Sequence, residues 1–118
     1  MDLNAFDVDP LRREARIERI AALDDAAFRR RFAGSPVKRI GRDRFVRNVL
    51  VAIGNSGDHE LIGIAERRLA DDAPLVRGMA VWALARLAPA ERMRHLHACH
   101  ATAEPDAGVR QEWEMALS

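Results

Sequence analysis

Three quartets of apolar residues with the same internal spacing constrain this chain more than any other feature. Phe45, Val49, Ala52 and Ile53 stand at i, i+4, i+7 and i+8. Val76, Ala80, Ala83 and Leu84 repeat the spacing 31 residues later, and Val109, Trp113, Ala116 and Leu117 repeat it after a further 33. At about 100° per residue each quartet falls on one arc of a helix, so each helix has a face to bury. Asp72 ahead of Val76-Arg77 and Asp106 ahead of Val109-Arg110 add an echo, an acidic cap before a Val-Arg pair. The first two quartets are each followed by a second helical pattern, so the repeating unit is a helix pair.

No stretch sustains period-2 alternation, and no Gly-rich phosphate loop appears. The expected fold is all-α: a short α-solenoid of HEAT-like helix pairs, each burying its face against its neighbours. A helical lead-in over residues 1–34 and a repeat domain over 35–118 are expected, with a basic loop-helix at 36–55. Asp9-Pro10 opens the first helix as cap and first helical position, and Leu11, Ala15, Ile17, Ile20 and Leu23 make its loose apolar stripe. Asp24 or Asp25 caps a short helix that turns Phe28 and Phe32 inward. Gly34-Ser35-Pro36 then ends it as an extended linker. Gly54-Asn55-Ser56-Gly57-Asp58 reads as a turn and residues 59–70 as a helix with Leu61, Ile62, Ala65 and Leu69 inward. Residues 75–87, 90–103 and 106–117 read as three more helices, with Trp82 placed to seal an interface between units.

A net charge of +1 hides an uneven distribution: residues 29–47 hold eight basic side chains and one acidic. Eighteen of the nineteen basic residues are arginine, which a GC-rich genome would produce anywhere, so the clustering carries the information. Lys38, Arg39, Arg42, Arg44 and Arg47, opposed only by Asp43, lie at the mouth of the first quartet's helix. On that helix Arg44, Arg47, Asn48, Val51 and Asn55 form a polar stripe away from the buried one. Asp43 is the expected N-cap, and Gly41 lets the loop bend before it. A helix N-terminus flanked by Lys38, Arg39 and Arg42 attracts anions, and the obvious anion is a phosphate. Arg77 continues this surface on the next repeat, and Gly78 serves either a close ligand approach or a close helix crossing. Arg29, Arg30 and Arg31 are weaker candidates that dress the short Phe helix.

Other chemistry is poorly supported. In His95-x-His97-x-Cys99-His100, His95 and Cys99 share one side of a helix and His97 and His100 the other. Two ligands at most converge, where zinc wants four, or three with an open position. A half-buried thiol with surface imidazoles is expected there. No Ser-His-Asp or Cys-His arrangement is legible, and Asp24-Asp25 and Asp71-Asp72 fit capping better than acid–base work; no catalytic residue is expected. The single Cys99 excludes an internal disulfide and points to a reducing compartment. No secretory pattern opens the chain, and no apolar run, residues 49–53 included, is long enough to span a bilayer. A cytoplasmic protein without membrane contact is expected.

The stretch SPVKRIGRDRFVRNVLVAIGNSGD, preceded by LDDAAFRRRFAG and followed by PLVRGMAVWALARL, resembles the C-terminal HEAT-like (PBS-type) domain of tRNA epoxyqueuosine reductases. These enzymes complete queuosine in the wobble position of certain tRNAs. The resemblance is dense over residues 20–87 and rests on the Lys-Arg pair, the spaced arginines and Arg47-Asn48 in order. Asn4-Ala5-Phe6 also looks like the residues that follow the last cluster cysteine in that family. What the resemblance implies is the tRNA-contacting part of such an enzyme, present as a fragment, a split subunit or a free-standing relative. Lys38, Arg39, Arg42, Arg44, Arg47, Asn48 and Arg77 would then contact an anticodon stem-loop. The family's cobalamin and its two four-iron four-sulfur clusters belong to a cysteine-rich catalytic domain. One cysteine cannot supply four cluster ligands, so no cofactor is expected in this chain and it is not expected to be active by itself. Partners implied are tRNA and a separate catalytic domain or subunit. The alternative is a protein–protein adaptor, which would use Leu3, Phe6 and the exposed side of the last helix with Trp113.

Overall fold

Helices begin and end where caps and breakers interrupt the apolar pattern. The structure, a computed structural model, describes residues 10–117. Among them are seven α-helices and no strand: α1 Pro10–Ala21, α2 Asp25–Arg31, α3 Arg42–Asn55, α4 Ile62–Arg67, α5 Pro74–Leu87, α6 Ala90–His100 and α7 Ala107–Leu117. Asp24 caps α2 by accepting the Ala27 amide hydrogen at 2.7 Å. Asp106 does the same for α7 through the Val109 amide at 3.0 Å. Pro74 stands in the first turn of α5, where a missing amide hydrogen costs nothing.

The quartets set the packing. α5 lies between α3 and α7, α1 and α2 pack on α3, α4 packs on α5, and α6 on α7. Val49, Ile53, Val76, Ala80, Ala83 and Leu84 are wholly buried, Phe45, Val109 and Trp113 nearly so, while Leu117 at the chain's end is 42% exposed. Val46 and Leu50, on the shoulder of the first stripe, are also fully buried. Burying each such aliphatic side chain is worth about 1.5–3 kcal/mol, which is why face pattern outweighs the mediocre helix propensity of the valines. Phe28, Phe32 and Phe45 form a triad with ring centroids 5.0–5.3 Å apart. Ile17, Ala21 and Phe28 belong to the same core cluster as the quartets, so one continuous core runs across position 34.

Several local expectations are corrected. Gly34-Ser35-Pro36 does not lead into an extended linker: Ser35 caps a 3-10 helix, Pro36–Ile40, by accepting the Val37 amide hydrogen at 3.3 Å. Residues 59–70 are not one helix but 3-10 His59–Leu61, α4 and 3-10 Arg68–Ala70, with Ile64 buried as well. Asp43 is not the cap of α3; Gly41 holds that position at φ 83°, with no side-chain cap. Asp72 does not cap α5, whose N-cap is Ala73. Gly54 lies inside α3 rather than opening the turn, and residues 101–103 lie beyond α6. Leu3, Asn4-Ala5-Phe6 and Asp9 lie outside the described residues.

Candidate nucleic-acid interface

The basic segment divides by what each cation already holds. Lys38 and Arg39, on the 3-10 helix Pro36–Ile40, are exposed and line a cleft of about 490 Å³ with Gly34, Ser35 and Pro36. Arg44, in the first turn of α3, is exposed too. None of these three has a carboxylate partner among the described residues. One turn further along, Arg47 donates to the Asn48 amide oxygen at 3.2 Å. Asn48 and Asn55 are exposed and Arg47 and Val51 half-buried, so the polar stripe of α3 faces solvent as expected.

Arg42 and Arg77 belong to the scaffold. The Arg42 side chain is only 11% exposed; Nε donates to the Leu23 carbonyl at 2.7 Å, and the two Nη groups hold both oxygens of Asp71, whose side chain is 4% exposed. That bond to Asp71 holds the Arg42 guanidinium above its ordinary pKa. For Asp71, burial pushes the carboxyl up, but the Arg42 hydrogen bonds, the Ala73 amide and the charges of Arg42 and Arg68 together hold it below the usual range. Arg77 forks onto Glu104, with Nη2 to Oε1 at 2.8 Å and Nε to Oε2 at 3.0 Å, and Nη1 reaches the Asp71 and Asp72 carbonyls at 2.9 Å. The same fork lowers the Glu104 pKa and raises that of Arg77. Gly78 faces α7, where an added Cβ would meet Val109 and Glu112 at an ordinary 3.8 Å, so this crossing is not close enough to require glycine.

The histidine segment presents two separate pairs. His95 Nε2 lies 3.7 Å from Cys99 Sγ, while His97 and His100 both pack on Trp113, edge-on at 5.9 Å and stacked at 6.1 Å. Cys99 is exposed rather than half-buried, and Trp113 is buried rather than on a free face. No group of three or more His, Cys, Asp or Glu side chains able to hold a metal ion occurs among the described residues.

Sequence reasoning missed a second concentration of positive charge on α1 and α2, where Arg12, Arg16, Arg19 and Arg31 line a cleft of about 380 Å³. The i, i+4, i+7 spacing of the first three is legible in the sequence beside the apolar stripe of α1.

Against known proteins, the chain is 41% identical over 73 residues to an epoxyqueuosine reductase of Xanthomonas campestris pv. campestris, covering 61% of this chain and 21% of the relative. The chain is related to part of epoxyqueuosine reductase. A second such reductase, from Alicycliphilus denitrificans, is 37% identical over 78 residues, covering 59% of this chain and 22% of the relative. The chain thus matches about a fifth of the length of the epoxyqueuosine reductases it resembles. No family model matches it, and no solved structure does. No helix among the described residues is long and apolar enough to cross a membrane.

Proposed function

We propose that this chain is a tRNA-binding module, a short α-solenoid of HEAT-like helix pairs whose basic segment grips an anticodon stem-loop. The observation that carries the reading is a contrast in charge satisfaction. Arg13, Arg42, Arg67, Arg68, Arg77 and Arg92 each hold a carboxylate, whereas Lys38 and Arg39, which line one cleft, and Arg44, two residues into α3, have none among the described residues. Neighbouring like charges repel unless an external anion lies between them, and a phosphodiester backbone supplies one at regular intervals. Lys38, Arg39 and Arg44 take phosphates. Arg47 and Asn48 present donors and an acceptor that suit 2′-hydroxyls or base edges in a loop. Arg42 and Arg77 act from behind, fixing the segment in place. The side-by-side row of α3, α5 and α7 supports the solenoid, and the likeness to part of epoxyqueuosine reductase supports tRNA as the nucleic acid. An iron–sulfur cluster belongs to a catalytic partner, because a lone exposed thiol does not supply a cluster's ligands.

Fluorescence anisotropy with labelled tRNA tests this. Lys38→Ala/Arg39→Ala/Arg44→Ala is expected to weaken binding at least about tenfold and to flatten the log–log salt slope by about 2, at roughly 0.7 per lost phosphate contact. Wild-type affinity and slope in that variant contradict the assignment. A protein-adaptor role is favoured by one feature only: Leu75, Met115 and Leu117 leave 42%, 57% and 42% of their surface exposed. Co-purification of a catalytic partner that survives ribonuclease and is lost with Met115→Glu supports that second role.

A further inference from the structure

Four arginines that the basic segment does not use gather on the first two helices. Arg12, Arg16 and Arg19 follow i, i+4, i+7 along α1, one stripe about 10 Å long at 1.5 Å rise per residue. Arg31, the last residue of α2, closes the other side, and with Ile20 the four line the cleft of about 380 Å³. The acids of these helices are turned elsewhere. Glu18 accepts from Arg67 at 2.5 Å, Asp25 pairs with Arg29 at 3.1 Å, and Glu14 falls on the far side of the α1 wheel. All four arginines are exposed, and none has a carboxylate within ion-pair distance among the described residues.

Like charges one turn apart destabilise a helix, and a cleft with four of them concentrates a positive potential that nothing in the described chain offsets. We infer that this cleft is a second phosphate-binding site, taking successive backbone phosphates of an RNA strand. The inference rests on the RNA-binding reading above but on different residues. An open row of exposed guanidiniums suits a chain of phosphates, where a small anion is held by enclosure. Ile20, the one apolar side chain lining the cleft, is half-buried, so nothing here inserts into a bilayer. Arg31 stands seven residues before Lys38 in the chain, and the two clefts share no lining residue.

The test is anisotropy of a labelled anticodon stem-loop RNA with the full chain over a range of salt. Arg12→Gln/Arg16→Gln/Arg19→Gln is expected to bind about tenfold more weakly at low salt, with a slope shallower by about 2. Arg12→Lys/Arg16→Lys/Arg19→Lys is expected to keep the slope and most of the affinity, because the slope counts charges. Inorganic tripolyphosphate is expected to displace the RNA only at millimolar concentration; displacement at micromolar concentration would reassign the cleft to a small polyphosphate and overturn the proposal. If the glutamine variant matches wild type while Lys38→Ala/Arg39→Ala/Arg44→Ala still loses binding, the cleft proposal alone fails. If both variants match wild type, the RNA-binding reading fails with it.

Discussion

Asp71 ties the basic segment to the rest of the molecule more than any other single side chain. Its carboxylate takes both Nη groups of Arg42, lies 3.7 Å from Arg68 Nη1 and accepts the Ala73 amide hydrogen at 3.0 Å. Removing it would leave an Arg42 guanidinium that is only 11% exposed with just Asp43, at 3.1 Å, and the Leu23 carbonyl, so the loss falls at the low end of the about 3–5 kcal/mol for breaking a buried pair. Asp71→Ala is therefore expected to lower the unfolding free energy by about 3 kcal/mol in urea, with little change in slope. The pH dependence follows. Asp71 and Glu104 are held below ordinary carboxyl values in the folded state, so their contribution is complete above the unfolded values near pH 4 and is lost as pH falls through the lower folded ones. The urea midpoint is expected to drop between about pH 5 and pH 3, and Asp71→Asn, already weaker at neutral pH, to show less of that drop. A midpoint that rises on acidification contradicts this. None of these pairs was legible in the sequence, because Arg42 and Asp71 stand 29 residues apart and Arg77 and Glu104 27 apart. An arginine's local pattern says that it is exposed or buried, not which distant acid it meets.

At the level of elements, the apolar faces were readable and the close approaches were not. Gly54 belongs to a run of turn-forming residues, yet it continues α3 because α5 passes so near. A Cβ there would stand 2.5 Å from Trp82 Cζ3 and 3.1 Å from the Ala83 Cα. Arg86 strengthens the crossing, lying 5.1 Å over the Trp82 ring and donating to the Gly54 carbonyl at 3.1 Å. Gly54→Ala gains about 1 kcal/mol in helix propensity but overpacks the crossing by about 1–3 kcal/mol. A net loss of about 1 kcal/mol is expected, and it is expected to shrink in a Trp82→Ala background, where the ring no longer obstructs. Strict additivity in that double-mutant cycle contradicts the close-approach account. The Val-Arg echo also has a cause now. Arg77 Nη1 donates to the Asp71 carbonyl at 2.9 Å and Arg110 Nη1 to the Glu104 carbonyl at 2.8 Å, each six residues back, so both arginines brace the loop that feeds their own helix. The repeat was visible as spacing; the brace that explains it needed coordinates.

For the molecule as a whole, the division of its arginines is the organising fact. One set is spent on ion pairs that fix α1, α3, α5 and the loops between them. Others stand open on the 3-10 helix Pro36–Ile40, on the outer stripe of α3 and in the cleft of α1 and α2, without a carboxylate among the described residues. The cluster at residues 38–47 could be read from charge density alone, but that density overstated the interface, since Arg42 faces inward. The opposite error held on α1, where net charge is diluted by Glu14 and Glu18, and Glu18 turns out to hold Arg67 of α4. The central claim is that the open set binds an RNA backbone, and the most direct measurement is the salt dependence of wild-type binding to an anticodon stem-loop. With three to seven phosphates neutralised, the account predicts a log–log slope between about −2 and −5. Binding that is absent at low salt, or that does not change with salt, contradicts it.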